Sequence, residues 1–218
     1  MLRVGLTGGV ACGKSVVSEM FAKRGVKVIQ ADLVAHQLMQ PGEPVYQEIV
    51  AHFGRGILNP DGTVNRPQLA QAAFGDGTTA HPSRVEELNR IVHPAVIARQ
   101  NAWMEEVGRD GPHSVAMVEA ALILEAGVQA HFDKLVVVTC KPEQRVERLA
   151  RRMKIDLESA LREVSRRMAA QLPDEDKIKA ADFVIDNSGS LDATEHQVIS
   201  IASELQHLAK AGHSRINR

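Results

Sequence analysis

The chain has 218 residues, 44% of them hydrophobic, enough to bury the core of one large domain or of one domain with an insertion. A formal net charge of −1 argues against a dedicated nucleic-acid or membrane-surface binder, and the two cysteines, Cys12 and Cys140, lie far apart without metal-ligand spacing, which fits a reduced, cytoplasmic setting. No apolar run reaches the length of a bilayer span, and the opening residues lack the apolar stretch of a signal peptide.

In chain order, residues 2–7 (LRVGLT) predict a short buried strand. Residues 14–24 predict a helix with Val17, Met20 and Phe21 on one face, ending at Gly25. The β-branched run 26–29 predicts a second strand, and 32–39 a helix that stops before Pro41-Gly42. Strand, helix, strand in about thirty residues is a βαβ unit, so the strands should run parallel. Further strands are predicted at 114–118, 134–139 (KLVVVT) and 183–185, continuous in apolar character as buried parallel strands are. Helices are predicted at 142–152, 157–170 and 192–208.

Residues 59–110 break this rhythm. They open with a turn, NPDGT, and continue with helical patterns at 67–74, 83–91 and 93–107. The expected architecture is a doubly wound α/β parallel sheet, with a core of 1–58 and 111–208, a helical insertion at 59–110, an arginine-rich lid at 144–171 within the core, and a frayed tail at 209–218.

Residues 8–15 read G-G-V-A-C-G-K-S and fit G-x-x-x-x-G-K-[ST], the P-loop. Glycine lets the backbone turn sharply and bring N–H groups to phosphate oxygens. The helix starting near Lys14 adds its N-terminal dipole. Gly8, Gly9, Ala11, Cys12, Gly13, Lys14, Ser15 and Val16 therefore form the candidate nucleotide loop. Lys14 supplies a charge for the β- and γ-phosphates of ATP, and the Ser15 hydroxyl is a candidate Mg²⁺ ligand. An ordinary glycine-rich turn is the bland alternative, and the strand before and helix after count against it.

No N-K-x-D base-reading motif and no LSGGQ-like signature occur, which counts against a GTPase switch and an ABC-type ATPase. A small-molecule kinase needs an acceptor pocket, a base and a mobile arginine-bearing lid. Asp32 follows the second strand, at the carboxyl end of the sheet, and reads equally as a base or as a helix cap. Arg145, Arg148, Arg151 and Arg152 follow the strongest strand; Arg148 and Arg152 share a helix face and can grip phosphates, although a solvated basic face explains them as well. His93 and Asn187 have structural readings by default, and Cys12, though at a helix N-terminus, reads more simply as a passive small residue. A nucleotide-binding module that transfers nothing, and a kinase for a nucleoside or its monophosphate, are the rival readings.

VGLTGGVACGKS, QADLVAHQLMQPGEPVYQEIVAHFG, DGTVNRPQLAQAAF, IVHP, RMAAQ and AADFVIDNSG occur in this order. Together they resemble the dephospho-CoA kinase family over nearly the whole chain. The resemblance implies ATP-dependent phosphorylation of the ribose 3′-hydroxyl of dephospho-CoA, giving CoA and ADP. It implies Mg²⁺, no nucleic-acid or membrane partner, and a monomer or weak homo-oligomer. It implies that 59–110 binds the CoA moiety and that Asp32 stands near the acceptor hydroxyl. Arg66 and His93 then fall where the acceptor lies, Arg148 and Arg152 face the phosphates, and Asn187 falls near the adenine. The chain departs from the family's pattern at Ala11-Cys12 (usually Gly-Ser), Val16 (usually Thr), Gln30 (the first Asp of D-A-D), Ala121 (usually Pro) and Arg145, which stands where Gln is usual.

Overall fold

The structure, a computed structural model, describes residues 1–75 and 83–213. Five strands, β1 Leu2–Gly8, β2 Lys27–Gln30, β3 Val115–Glu119, β4 Lys134–Thr139 and β5 Phe183–Asp186, form one sheet in the order β2-β3-β1-β4-β5. All pairings are parallel, with Leu6 opposite both Glu119 and Val136. Between and after the strands lie α1 Lys14–Lys23, α2 Ala31–Leu38, α3 Pro44–Phe53, α4 Arg66–Phe74, α5 Val85–Asp110, α6 Pro142–Met153, α7 Leu157–Ala169, α8 Asp174–Ala180 and α9 Leu191–His213. The doubly wound α/β reading therefore holds, and the strand order reverses beside β1, where such sheets bind ligands at their carboxyl ends.

Alternation along the strands builds two cores. Val4, Leu6, Val136 and Val138 point to one face, where Val17 and Phe21 of α1 and Val198, Ala202 and Leu205 of α9 cover them. Leu135 and Val137 point the other way and join Ile123 and Phe132. A Cβ on Gly5 would meet Ile123 and Leu135 side chains at 3.0 Å, so glycine in β1 lets this second core close on the strand.

The chain divides into two compact units, residues 1–30 with Met104 onward, and residues 31–103. In the second, the NPDGT turn closes through an isolated antiparallel bridge between Leu58 and Val64, and Asp61 accepts bonds from the Thr63 amide (2.9 Å) and hydroxyl (2.6 Å). Asn65 caps α4 by accepting the Gln68 amide at 3.1 Å. Arg84 stacks on the Phe53 ring and donates to Glu87, which also bonds His52, so the end of α3 is fastened to the start of α5.

Three local expectations change. The patterns at 83–91 and 93–107 are one helix, α5, with Pro94 inside it. An interior proline costs about 3 kcal/mol. A buried stripe of Val92, Val96, Gln100 and Met104, spaced one turn apart, outweighs it. The tail expected from 209 is helical to His213, and the rest of it, 214–218, lies outside the described residues. The short helix α8 is unannounced by the sequence; its buried contact is Lys177, not an apolar stripe. No described helix is long and apolar enough to cross a membrane.

Candidate active site

The loop between β1 and α1 is built as its sequence requires. Gly8 has φ 152°, and a Cβ there would strike the Val138 carbonyl. Gly13 has φ 94° and stands at the N-cap of α1, where no side chain caps the helix. The first N–H groups of α1 are thus left for a ligand rather than for a serine or aspartate. Ala11 adopts φ 55°, a left-handed conformation that favours glycine. Lys14 folds over the loop, its Nζ donating to the carbonyls of Gly8 (3.0 Å) and Gly9 (3.2 Å).

Beneath the loop, at the carboxyl end of β3, lies Glu119, a buried carboxylate absent from the sequence reading. Ser15 Oγ donates to its Oε1 at 2.9 Å and Ser18 Oγ to its Oε2 at 2.7 Å. The two hydroxyls thus hold both carboxylate oxygens in place beside the loop. Two oxygen donors so placed suit a hard divalent cation that also draws on phosphate oxygens and water. Among the described residues no group of three or more His, Cys, Asp or Glu is placed to hold a metal by itself. The signal for Glu119 is an acid closing a buried strand: β3 runs one residue beyond the apolar run that predicts it, to Glu119.

Asn187, after β5, is buried and clamps the loop. Its Nδ2 donates to the Cys12 carbonyl at 2.8 Å, and its Oδ1 accepts from Thr194 Oγ1 at 2.9 Å. A side chain at Gly13 would collide with that amide. Arg148 donates to the same Cys12 carbonyl at 3.3 Å and to the Asn187 carbonyl at 2.8 Å, while Arg152, one turn along α6, is exposed. Cys12 is wholly buried; burial pushes its thiol pKa up against the lowering charges of Lys14 and Arg145, which makes it a passive filler of the loop. Val16, the last of the loop residues, is exposed on the first turn of α1.

The structure therefore brings Lys14, Ser15, Arg148 and Asn187 together around residues 8–16. Three further expected site residues, Asp32, Arg66 and His93, belong to the second unit. Asp32 is the second residue of α2, two past the end of β2, inside the first turn rather than at its cap. Arg66 opens α4, and His93 precedes Pro94 in α5. All three are exposed, and no described residue pairs with them.

Comparison with known proteins shows the family. A family model described as dephospho-CoA kinase matches residues 2–193. The dephospho-CoA kinase of Corynebacterium efficiens is 38% identical over 94% of this chain and 98% of its own, and that of Aquifex aeolicus 37% identical over 94% and 98%. A solved structure from Thermus thermophilus, 29% identical, superposes with a TM-score of 0.72 over 94% of this chain and 97% of that one.

Proposed function

The chain belongs to the dephospho-CoA kinase family, and from that premise we propose which of its residues carry the phosphoryl transfer. The activity is the ATP-dependent phosphorylation of dephospho-CoA, the last step of coenzyme A biosynthesis. The observation that carries the residue assignment is the loop itself: Lys14 over Gly8 and Gly9, the uncapped start of α1, and Ser15 joined to buried Glu119.

In this reading the backbone of residues 8–16 cradles the ATP phosphates. Lys14 exchanges its carbonyl partners for the β- and γ-phosphate oxygens. Ser15 supplies a hydroxyl ligand for Mg²⁺, and Glu119 orients that hydroxyl from below. Bound there, the cation would neutralise charge developing on the phosphates. Asp32 takes the proton from the ribose 3′-hydroxyl as its oxygen attacks the γ-phosphorus in line; the bond to the β-phosphate oxygen breaks, and ADP leaves. Arg148 and Arg152 stabilise the charge on the moving phosphoryl group. Arg66 and His93, with the helical segment 59–110, bind the acceptor, and 144–171 acts as the lid. Asn187 holds the loop's Cys12 carbonyl beside the adenine.

The test is ADP release with ATP and Mg²⁺ in the presence of dephospho-CoA, adenosine or AMP. Release stimulated only by dephospho-CoA is expected; stimulation by another acceptor overturns the substrate assignment. In the same assay Lys14→Ala should lower kcat/KM about a thousandfold. Asp32→Asn should lower kcat by a factor on the order of a hundred or more while leaving the Kd for ATP unchanged. An unchanged kcat in Asp32→Asn removes the base role.

A further inference from the structure

Arg145 lies at the start of α6 and is 1% exposed, among the largest side chains wholly buried in the protein. The mechanism above does not use it. Its Nη2 donates to the Cys140 carbonyl at 3.5 Å and to Asp174 Oδ2 on α8. Its Nε and Nη1 have no partner among the described residues. The guanidinium rests against the nucleotide loop and fills the space a Cβ on Gly9 would need, with Nη1 the nearest atom. Lys14 Nζ bonds the carbonyl of that same Gly9.

A guanidinium held out of water with unused donors is costly, and a single carboxylate at one corner leaves the other corner unsatisfied. Its polar neighbours among the described residues, Asp174 and the carbonyl and thiol of Cys140, leave Nε and Nη1 without an acceptor. An anion would supply one. Those donors lie beside a loop whose backbone is shaped for phosphate oxygens, and a planar fork of N–H groups suits a phosphate. We propose that Arg145 is a phosphate-binding residue of the ATP site, its Nη1 and Nε donating to the nucleotide's phosphate oxygens beside Gly9 while Nη2 stays on Asp174. This rests on the reading of residues 8–16 as the ATP loop. Asp174 is then a positioning residue that aims the fork and competes with phosphate for its charge.

The experiment measures Kd for ATP and for inorganic tripolyphosphate, and KM for dephospho-CoA, in the wild type, Arg145→Gln and Asp174→Asn. The wild-type values test the loop reading by themselves: no ATP binding there would sink that reading and with it the proposal. With wild-type binding established, Arg145→Gln should weaken both phosphate ligands on the order of ten- to a hundredfold, the worth of charged hydrogen bonds, and leave the KM for dephospho-CoA in place. Asp174→Asn should bind ATP as tightly as the wild type or more tightly, because it frees the guanidinium. A purely structural ion pair predicts the opposite pattern, with both variants weakened alike. Arg145→Gln within twofold of the wild type overturns the proposal, and so does a loss in Asp174→Asn equal to that in Arg145→Gln. Should Arg145→Gln fail to fold, the direction of the change in Asp174→Asn decides: unchanged or tighter supports the proposal, and weaker overturns it.

Discussion

Ala11 sits at φ 55° inside a loop otherwise shaped by glycines. A side chain in this left-handed region costs about 1–2 kcal/mol, and glycine returns roughly half of that through the entropy of the unfolded chain. Ala11→Gly should therefore stabilise the protein by about 0.5–1 kcal/mol, seen as a higher urea midpoint with an unchanged slope. A midpoint that falls would show that the loop relies on the Ala11 methyl, which packs with Val10 and Leu149, more than it suffers from the backbone. Glu119 marks the limit of reading residues singly. It is one acid among many in the sequence, and its meaning comes from the hydroxyls of Ser15 and Ser18 that its carboxylate accepts.

Among elements, α7 shows how exposed charge contributes. On α7, Glu163 accepts from Arg166 Nε and Nη2 and from Arg167 Nε, at 2.8, 2.8 and 2.6 Å. The Arg166 bonds first, and then those of Arg167, hold its carboxyl down at about 2, against an ordinary 4.5. Because the folded value is the lower one, the contribution is complete above about pH 4.5 and is lost as the pH falls toward 2. Water and salt screen such pairs, so each is worth a few tenths of a kcal/mol. Glu163→Gln should cost less than about 1 kcal/mol at neutral pH and should flatten the decline in helix content between pH 4.5 and 2, followed by circular dichroism. A larger loss would mean that Glu163 holds more than its own helix. The long helix α5 teaches a different lesson: proline is a strong local signal for a break, and a buried stripe through Val92, Val96 and Met104 overrides it.

At the scale of the whole molecule, binding at the loop couples to stability by mass action. ATP with Mg²⁺ at a hundred times its Kd should add about 2.7 kcal/mol. For a chain of this size that is a rise in melting temperature of roughly 5–11 °C. Adenosine at the same concentration, lacking phosphates, should give little. Equal shifts from both ligands would place the recognition on the base rather than on residues 8–16. The measurement belongs at this scale because the loop draws its support from distant parts of the chain: Asn187 is 175 residues from the Cys12 carbonyl it holds, and Glu119 is 104 residues from Ser15.

The sequence by itself determined the sheet strands, the helices that cover them, and the loop from Gly8 to Ser15, because each is a local pattern: β-branched apolar runs, one-faced helical spacing, and glycines before a lysine and a serine. The order of motifs along the chain also determined the family. The tertiary structure alone decided which polar groups meet. Parallel pairing sets Leu6 opposite Glu119, and that register brings a carboxylate under the loop. The start of α6 buries Arg145 against Gly9, though its sequence reads as one more exposed arginine in a basic helix. Burial and register are properties of elements packed together, so no window of neighbouring residues contains them.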